Sequence, residues 1–293
     1  MRSHICIIAA AALWGCIGIF LKLLTAAGLG TMQAVAVRVI LAAVLYAAFL
    51  LVTDRKALRI RFRDIWMFIG TGVCSLVFFN WCYFSCIKSI EGGGLGVAAV
   101  LLYTAPVFVM IMSAVFFREK LTPVKLVALA LTFAGCLLVT GVVGSKAAIP
   151  TKAILYGLGS GFGYALYSIF GKAATKRYGS KTVTVWSFIL GAVAVVPFMF
   201  GVEWSGLATA RGVFGALDIS ILCCILPYLL YTEGLKSVEP GRASVMATVE
   251  PVVAAIVGIF YGETPTALRI AGMALVIGAI ALMGLADRKK KKA

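Results

Sequence analysis

Two ionisable residues stand where an apolar chain least accommodates charge. Glu250 lies inside the run Val245-Met-Ala-Thr-Val-Glu-Pro-Val-Val-Ala-Ala-Ile256, directly before Pro251, and Arg38 lies inside Met32-Gln-Ala-Val-Ala-Val-Arg-Val-Ile-Leu-Ala42. A carboxylate in such a place can receive an ammonium group or exchange a proton; a guanidinium offers a planar fork of donors to a carboxylate. The helical neighbours of Glu250 are Ala243, Met246, Ala247, Ala254 and Gly258. Side chains that small suit close helix packing or a cavity wall, not a lipid-facing surface. Structural readings compete with the chemical ones. Glu250 could pair with Arg38 or with a backbone N–H freed by Pro251, and Arg38 could pair with Glu250 or Asp218 or reach outward. Trp14, Asn80, Tyr83, Tyr103, Tyr164 and Tyr228 add aromatic and polar groups that together could line a mostly apolar pocket. Taken singly, each reads first as a core-packing or interfacial-anchoring residue.

The elements that must position these groups are apolar spans. Hydrophobic residues make up 62% of the chain and charged residues 13%, with a mean hydropathy of +1.05. An ordinary soluble domain carries about a quarter charged residues, so a soluble fold is excluded. Ten apolar runs are read near 4–24, 31–52, 65–87, 95–117, 124–143, 153–173, 182–202, 212–235, 242–260 and 266–286. All are long enough to cross a bilayer as helices. The first is treated as a retained helix and not a cleaved leader, because it is long and has a counterpart in the second half. Glu250 then lies about eight residues into its span, ~12 Å deep, and Arg38 about seven residues into the second, ~10 Å deep. Charge at such depth is costly and points to function. Pro106, Pro227 and Pro251 fall within the fourth, eighth and ninth spans and are read as helix kinks. Gly157-x-x-x-Gly161 and Gly159-x-x-x-Gly163 are read as packing faces.

The net charge of +16 is not a nucleic-acid signature, because its placement follows the spans. One set of span ends holds Arg2, the cluster Arg55 to Arg63, Arg118, Lys120, Lys125, Lys172, Lys176, Arg177, Lys181, Lys236, Arg242 and the tail Arg288 to Lys292. The other holds only Lys22, Lys88, Lys146, Lys152, Arg211 and Arg269. That asymmetry predicts both termini in the cytoplasm, with the tail acting on orientation and lipid headgroups. The eight cysteines fall inside the spans and the only histidine is His4, so no metal site and no cofactor is expected.

The chain also repeats itself. Trp14…Phe20-Leu-Lys22 matches Tyr164…Phe170-Gly-Lys172, and Tyr83…Lys88-Ser-Ile-Glu91 matches Tyr231…Lys236-Ser-Val-Glu239. Pro106 matches Pro251, and Glu119 with Thr122-Pro123 matches Glu263 with Thr264-Pro265, the two glutamates being read as capping and charge–dipole residues. Ala105 stands where symmetry would place a twin of Glu250, Phe188 near the position equivalent to Arg38, and Gly70 opposite Asp218. Five spans per unit is an odd number, so the second unit must enter the membrane inverted, with a binding site near the midplane between halves. The expected divisions are a first repeat over 1–145, a second over 146–286 and a basic tail over 287–293.

With these features the sequence resembles the EamA-like branch of the drug/metabolite transporter superfamily over essentially its whole length. The resemblance rests on Leu13-Trp14-Gly15, Arg38, Pro106 followed by Glu119, Val249-Glu250-Pro251-Val252-Val253 and Gly262-Glu263. It implies an all-α, ten-helix inner-membrane transporter, many of whose relatives export amino acids or other small metabolites. The expectation is therefore a secondary transporter that moves a small polar solute by alternating access. Trp14, Arg38, Asn80, Tyr83, Tyr103, Tyr164, Tyr228 and Glu250 would contact the solute, and Glu250 is the candidate for proton coupling. Membrane lipids are the expected surroundings, no nucleic-acid partner is expected, and monomer and homodimer both stay open. The rival from another class is a membrane-embedded enzyme acting on a lipid or polyprenyl substrate. Such chemistry ordinarily needs clustered acids holding Mg²⁺, whereas these acids are scattered singles.

Overall fold

The computed structural model describes residues 2–91, 94–142, 149–200 and 204–292, with side chains described as far as residue 285. Among these residues there are helices and turns and no strand. Nine helical rods are long and apolar enough to cross a membrane: α1 (Arg2–Ala26), α2 (Thr31–Thr53), α3 (Phe62–Lys88), α4 (Leu95–Phe117), α6 (Thr151–Thr175), α7 (Ser180–Met199), α8 (Ala210–Ser237), α9 (Pro240–Phe260) and α10 (Ala267–Leu285). The tenth, α5 (Pro123–Val139), is apolar but shorter. Its apolar run continues in sequence, yet the helix ends where the Thr140 hydroxyl bonds back to the Cys136 and Leu137 carbonyls and Gly141 adopts φ +70°. A left-handed glycine after the last turn is a common helix stop, and it sets the α5 boundary earlier than the apolar pattern does. The 145/146 division between halves falls outside the described residues.

Large apolar side chains point outward from the bundle. Val52, Phe62 and Phe260 are each more than four-fifths exposed, and Val115, Phe116, Leu155 and Val193 are about two-thirds exposed. In water such a belt would be unfavourable by about 25 cal/mol for every Å²; against hydrocarbon it is matched. The largest buried cluster brings Ile7, Trp14, Val39, Tyr46, Phe188, Tyr228, Tyr231 and Leu235 together from four helices.

The two halves share their irregularities as well as their motifs. α3 widens into a π-helical stretch at Gly70–Val77 and α8 into another at Ile221–Ile225. α4 breaks at Tyr103–Thr104 and α9 at Thr248, each two or three residues before the matched Pro106 and Pro251. In α8 the π stretch likewise precedes Pro227. The break therefore lies N-terminal to each proline, as the missing N–H and ring clash toward the preceding turn require. Packing follows the same scheme. α3 packs on α6 as α8 does on α1, α4 on α6 as α9 on α1, while α2 meets α7 and α5 meets α10. Exchanging each helix for the one five further along reproduces this pattern.

Small residues fix the close crossings. Gly157 and Gly161 face Leu101 and Thr104 of α4, while Gly159 and Gly163 face Cys82, Phe78 and Phe79 of α3. At the α5–α10 crossing a methyl group on Gly135 would lie 2.8 Å from the Gly272 carbonyl oxygen, and one on Gly272 would lie 2.7 Å from that of Gly135. Neither backbone can retreat without separating the helices. Gly272→Leu is expected to destabilise the protein by about 1–3 kcal/mol, read as a lower midpoint of thermal unfolding in detergent. Gly278→Leu on the same helix, where a side chain would meet nothing within 4 Å, is expected to leave that midpoint unchanged.

Candidate functional site

A cavity of 580 Å³ opens between the halves, within the range of small-molecule sites. All eight residues singled out in the sequence, Trp14, Arg38, Asn80, Tyr83, Tyr103, Tyr164, Tyr228 and Glu250, line it. Beyond Tyr164 at the middle of α6 and Ile219, Cys223 and Tyr228 of α8, its wall comes mainly from the second half of α1, the first turns of α2, the end of α3, the start of α4 and the end of α9. Those segments all reach the face opposite the chain termini, so the cavity opens toward that face. At the other end it is sealed by buried Tyr231, Ala243, Met246 and Ala247.

Glu250 owes its place to the break in α9. Thr248 ends the first half-helix, and Val249–Phe260 starts a second with Glu250 in its first turn. The free N–H groups and positive dipole end of a helix favour a carboxylate there. Counted from Pro240, Glu250 is about ten residues, ~15 Å, into the span. The Tyr164 hydroxyl donates to Glu250 Oε2 at 3.4 Å, a long contact that leaves most of the acceptor capacity free. Ala105, at the equivalent break in α4, is buried against Val109, Ala165 and Ile169 and does not reach the cavity.

Arg38 is only 6% exposed. Its Nη2 donates to Asn80 Oδ1 at 3.0 Å, and Asn80 Nδ2 donates to the Leu76 carbonyl at 2.7 Å. The second bond fixes which way the amide points, so its oxygen must face the guanidinium. Arg38 Nε has no partner, and among the described residues no carboxylate forms an ion pair with Arg38. Neither Glu250 nor Asp218 therefore neutralises it here. A buried guanidinium that lines a cavity, is held at one corner and has no carboxylate partner suits an anionic group.

Aromatic rings form the floor. The Trp14 ring centroid lies 6.2 Å from that of Tyr164, 5.2 Å from Tyr228 and 5.4 Å from Tyr231. Tyr167 packs edge-on against Tyr228 at 4.9 Å, and its hydroxyl meets Thr232 Oγ1 at 2.8 Å. Ser168 Oγ and the Tyr231 hydroxyl are likewise 2.8 Å apart. These outer bonds orient the rings, whose edges and faces then suit an apolar or aromatic side chain. Sequence reasoning missed the mouth of the cavity, where Lys22, Glu263 and Arg269 add charge beside Tyr261. Lys22 Nζ lies 5.4 Å from the Tyr261 ring centroid, and Arg269 Nη1 bonds Glu263 Oε2 at 2.8 Å. Glu263 is thus an ion-pair partner, and the alignment that put Thr264 opposite Thr122 shifts by two residues. By capping role Thr266 is the equivalent, since Thr122 Oγ1 accepts from Lys125 N and Thr266 Oγ1 accepts from Arg269 N. The signal available in sequence was the shared spacing of Glu119 with Lys125 and Glu263 with Arg269.

Known proteins show the same architecture. A sequence profile of the EamA-like transporter family matches twice, over residues 1–141 and 151–285. An uncharacterized transporter of Archaeoglobus fulgidus is 32% identical over 199 residues, covering 67% of this chain and 69% of its own. The uncharacterized transporter YwfM of Bacillus subtilis is 24% identical over 230 residues, covering 78% of this chain and 76% of its own. One crystal structure at 16% identity covers 98% of both chains with a TM-score of 0.82, a likeness of fold alone. With the family's sequence pattern present in each half and apolar rods built around a cavity between them, this multi-pass membrane protein belongs to the EamA-like transporter family.

Proposed function

We propose that the protein exports amino acids or closely related zwitterionic metabolites across the cytoplasmic membrane. The carrying observation is the pairing, in one cavity, of an incompletely bonded Arg38 with a lightly bonded Glu250. A carboxylate on Arg38 and an ammonium on Glu250 would orient the solute across the cavity. Its side chain would then lie among Trp14, Tyr83, Tyr103, Tyr164 and Tyr228, with Asn80 holding the guanidinium. In the orientation that the basic span ends favour, the termini are cytoplasmic and the cavity is open outward. Halves related by inversion would rock about this site to open the other face, the kinks at Pro106, Pro227 and Pro251 accommodating the motion. Glu250 would take a proton in exchange for the solute amine, which couples export to the proton gradient.

The test is flux in liposomes containing the purified chain, compared across amino acids, their decarboxylated amines and their deaminated acids. Faster movement of the intact zwitterion, chemically unchanged, is the expected result. Equal rates for all three classes would overturn the reading.

A further inference from the structure

The face that bears the termini is held shut by a charged cluster that ties both halves together. Lys125, 3% exposed, bonds Glu119 Oε2 at 3.3 Å within its own half and Glu239 Oε2 at 2.9 Å across to the α8–α9 turn. Glu239 in turn meets Arg242 at 3.1 Å. Glu119 also fits against the start of α9, where a methyl group on Gly241 would come within 3.1 Å of Glu119 Oε2. From α6, Lys172 Nζ donates to the carbonyls of Leu235, Lys236 and Val238 at 2.5, 3.3 and 3.1 Å, closing the C-terminal end of α8. A cation there also meets the negative end of the helix dipole.

Each of the bonding groups named above except Arg242, whose place is taken by Gly94, has a counterpart on the open face. Glu263 and Arg269 stand for Glu119 and Lys125 with the same spacing, Lys22 for Lys172, and Glu91 for Glu239. The carbonyls of Ile87, Lys88 and Ile90 stand for those of Leu235, Lys236 and Val238. Of these counterpart contacts, only the local pair is made on this face among the described residues. Arg269 bonds Glu263, and the two are 32% and 52% exposed, against 3% and 7% for Lys125 and Glu119. Glu91 is exposed and, among the described residues, forms no ion pair; Lys22 rests on Tyr261 instead of on the end of α3.

We propose that closing the open face makes a second latch, with Arg269 binding Glu91 and Lys22 binding the carbonyls of Ile87, Lys88 and Ile90. The proposal rests on the alternating-access reading and adds its energetic device. Breaking the Lys125 cluster alone would strand buried charge. Forming an equivalent cluster on the opposite face in the same motion offsets that cost and leaves the two end states close in free energy. Each latch is a lysine or arginine bridge plus a lysine on a helix end, so the exchange leaves little net change in the kinds of bond made.

Gly18 provides the reporter, because it lines the cavity toward its open mouth and a side chain there would meet nothing within 4 Å. Gly18→Cys in nanodiscs would be reacted with a water-soluble maleimide, and modification at that residue followed by peptide mass spectrometry. Glu239→Gln breaks the existing latch and is expected to slow the modification at least about threefold by shifting the population toward the other state. Adding Glu91→Gln, or separately Lys22→Met, is expected to restore the faster rate. A slow rate that neither addition restores would overturn the second latch while leaving alternating access standing. If Glu239→Gln does not slow the modification at all, the alternating-access reading falls and the latch falls with it.

Discussion

Arg38→Ala is expected to slow transport of carboxylate-bearing solutes in liposomes by at least about thirtyfold, with little effect on their decarboxylated analogues. Truncating one partner of a buried, hydrogen-bonded charge pair costs roughly 2–5 kcal/mol, which corresponds to about thirtyfold to a few thousandfold in affinity. The guanidinium meets the conditions for an effect of that size. It is 6% exposed, one corner is fixed by Asn80, it lines the cavity, and among the described residues no carboxylate pairs with it. The ratio between the two solute classes is the quantity to measure, because it does not depend on how much of the variant folds. Some loss of folded protein is expected, since Asn80 Oδ1 would be left without its donor at a cost of about 1–3 kcal/mol. Arg38→Lys keeps the charge and loses the fork, and should fall between the two. Equal slowing of both solute classes would show that Arg38 only holds α2 against α3.

The helices themselves were legible because the signal is long and one-sided: runs of about twenty apolar residues bounded by charge. The exceptions have local causes. α5 stops at Thr140 because a hydroxyl and a left-handed glycine end it, and neither changes the hydropathy of the run. The repeat was legible from Pro106 and Pro251 and from the paired Lys-Ser-x-Glu turns. Its backbone expression was not, because the π stretches at Gly70–Val77 and Ile221–Ile225 have no composition of their own. Seven of the eight singled-out cavity residues carry charge, amide or phenol groups, which are uncommon inside spans and suited to facing a cavity; Trp14 stands out through its match to Tyr164 in the repeat. Pairing within that set was beyond sequence reach. Arg38 was weighed against Glu250 and Asp218, and it is Asn80 that meets it. The choice depends on which helix faces which, and no run of residues states that. Charges at the span ends were read as orientation signals, and the same Lys22, Lys125 and Lys172 prove to have specific neighbours.

Glu250→Gln is the complementary experiment, and its two outcomes separate the chemical from the structural role of this carboxylate. The amide is nearly isosteric and still offers an oxygen to the Tyr164 hydroxyl, so the bond at 3.4 Å can persist. What disappears is the negative charge and the capacity to exchange a proton. For a carboxylate that receives the solute amine, binding requires the ionised form, so affinity for amine-bearing solutes rises with pH through its titration in the wild type. In Glu250→Gln the rate measured between pH 5 and 8 is expected to be flat and at least about tenfold lower for zwitterions, a loss of roughly 1.4 kcal/mol or more. Deaminated acids, which never engage Glu250, should move at nearly the wild-type rate. A variant that keeps both the pH profile and the preference for zwitterions would assign Glu250 to the helix break alone, where a carboxylate in the first turn is favoured by the helix dipole. The position of Ala105 bears on which outcome to expect. The break in α4 tolerates alanine at the matching position, packed against Val109 and Ala165, so a break of this kind does not itself require an acid. Of the two matched positions only Glu250 lines the cavity, and that is where an ammonium group could use a carboxylate.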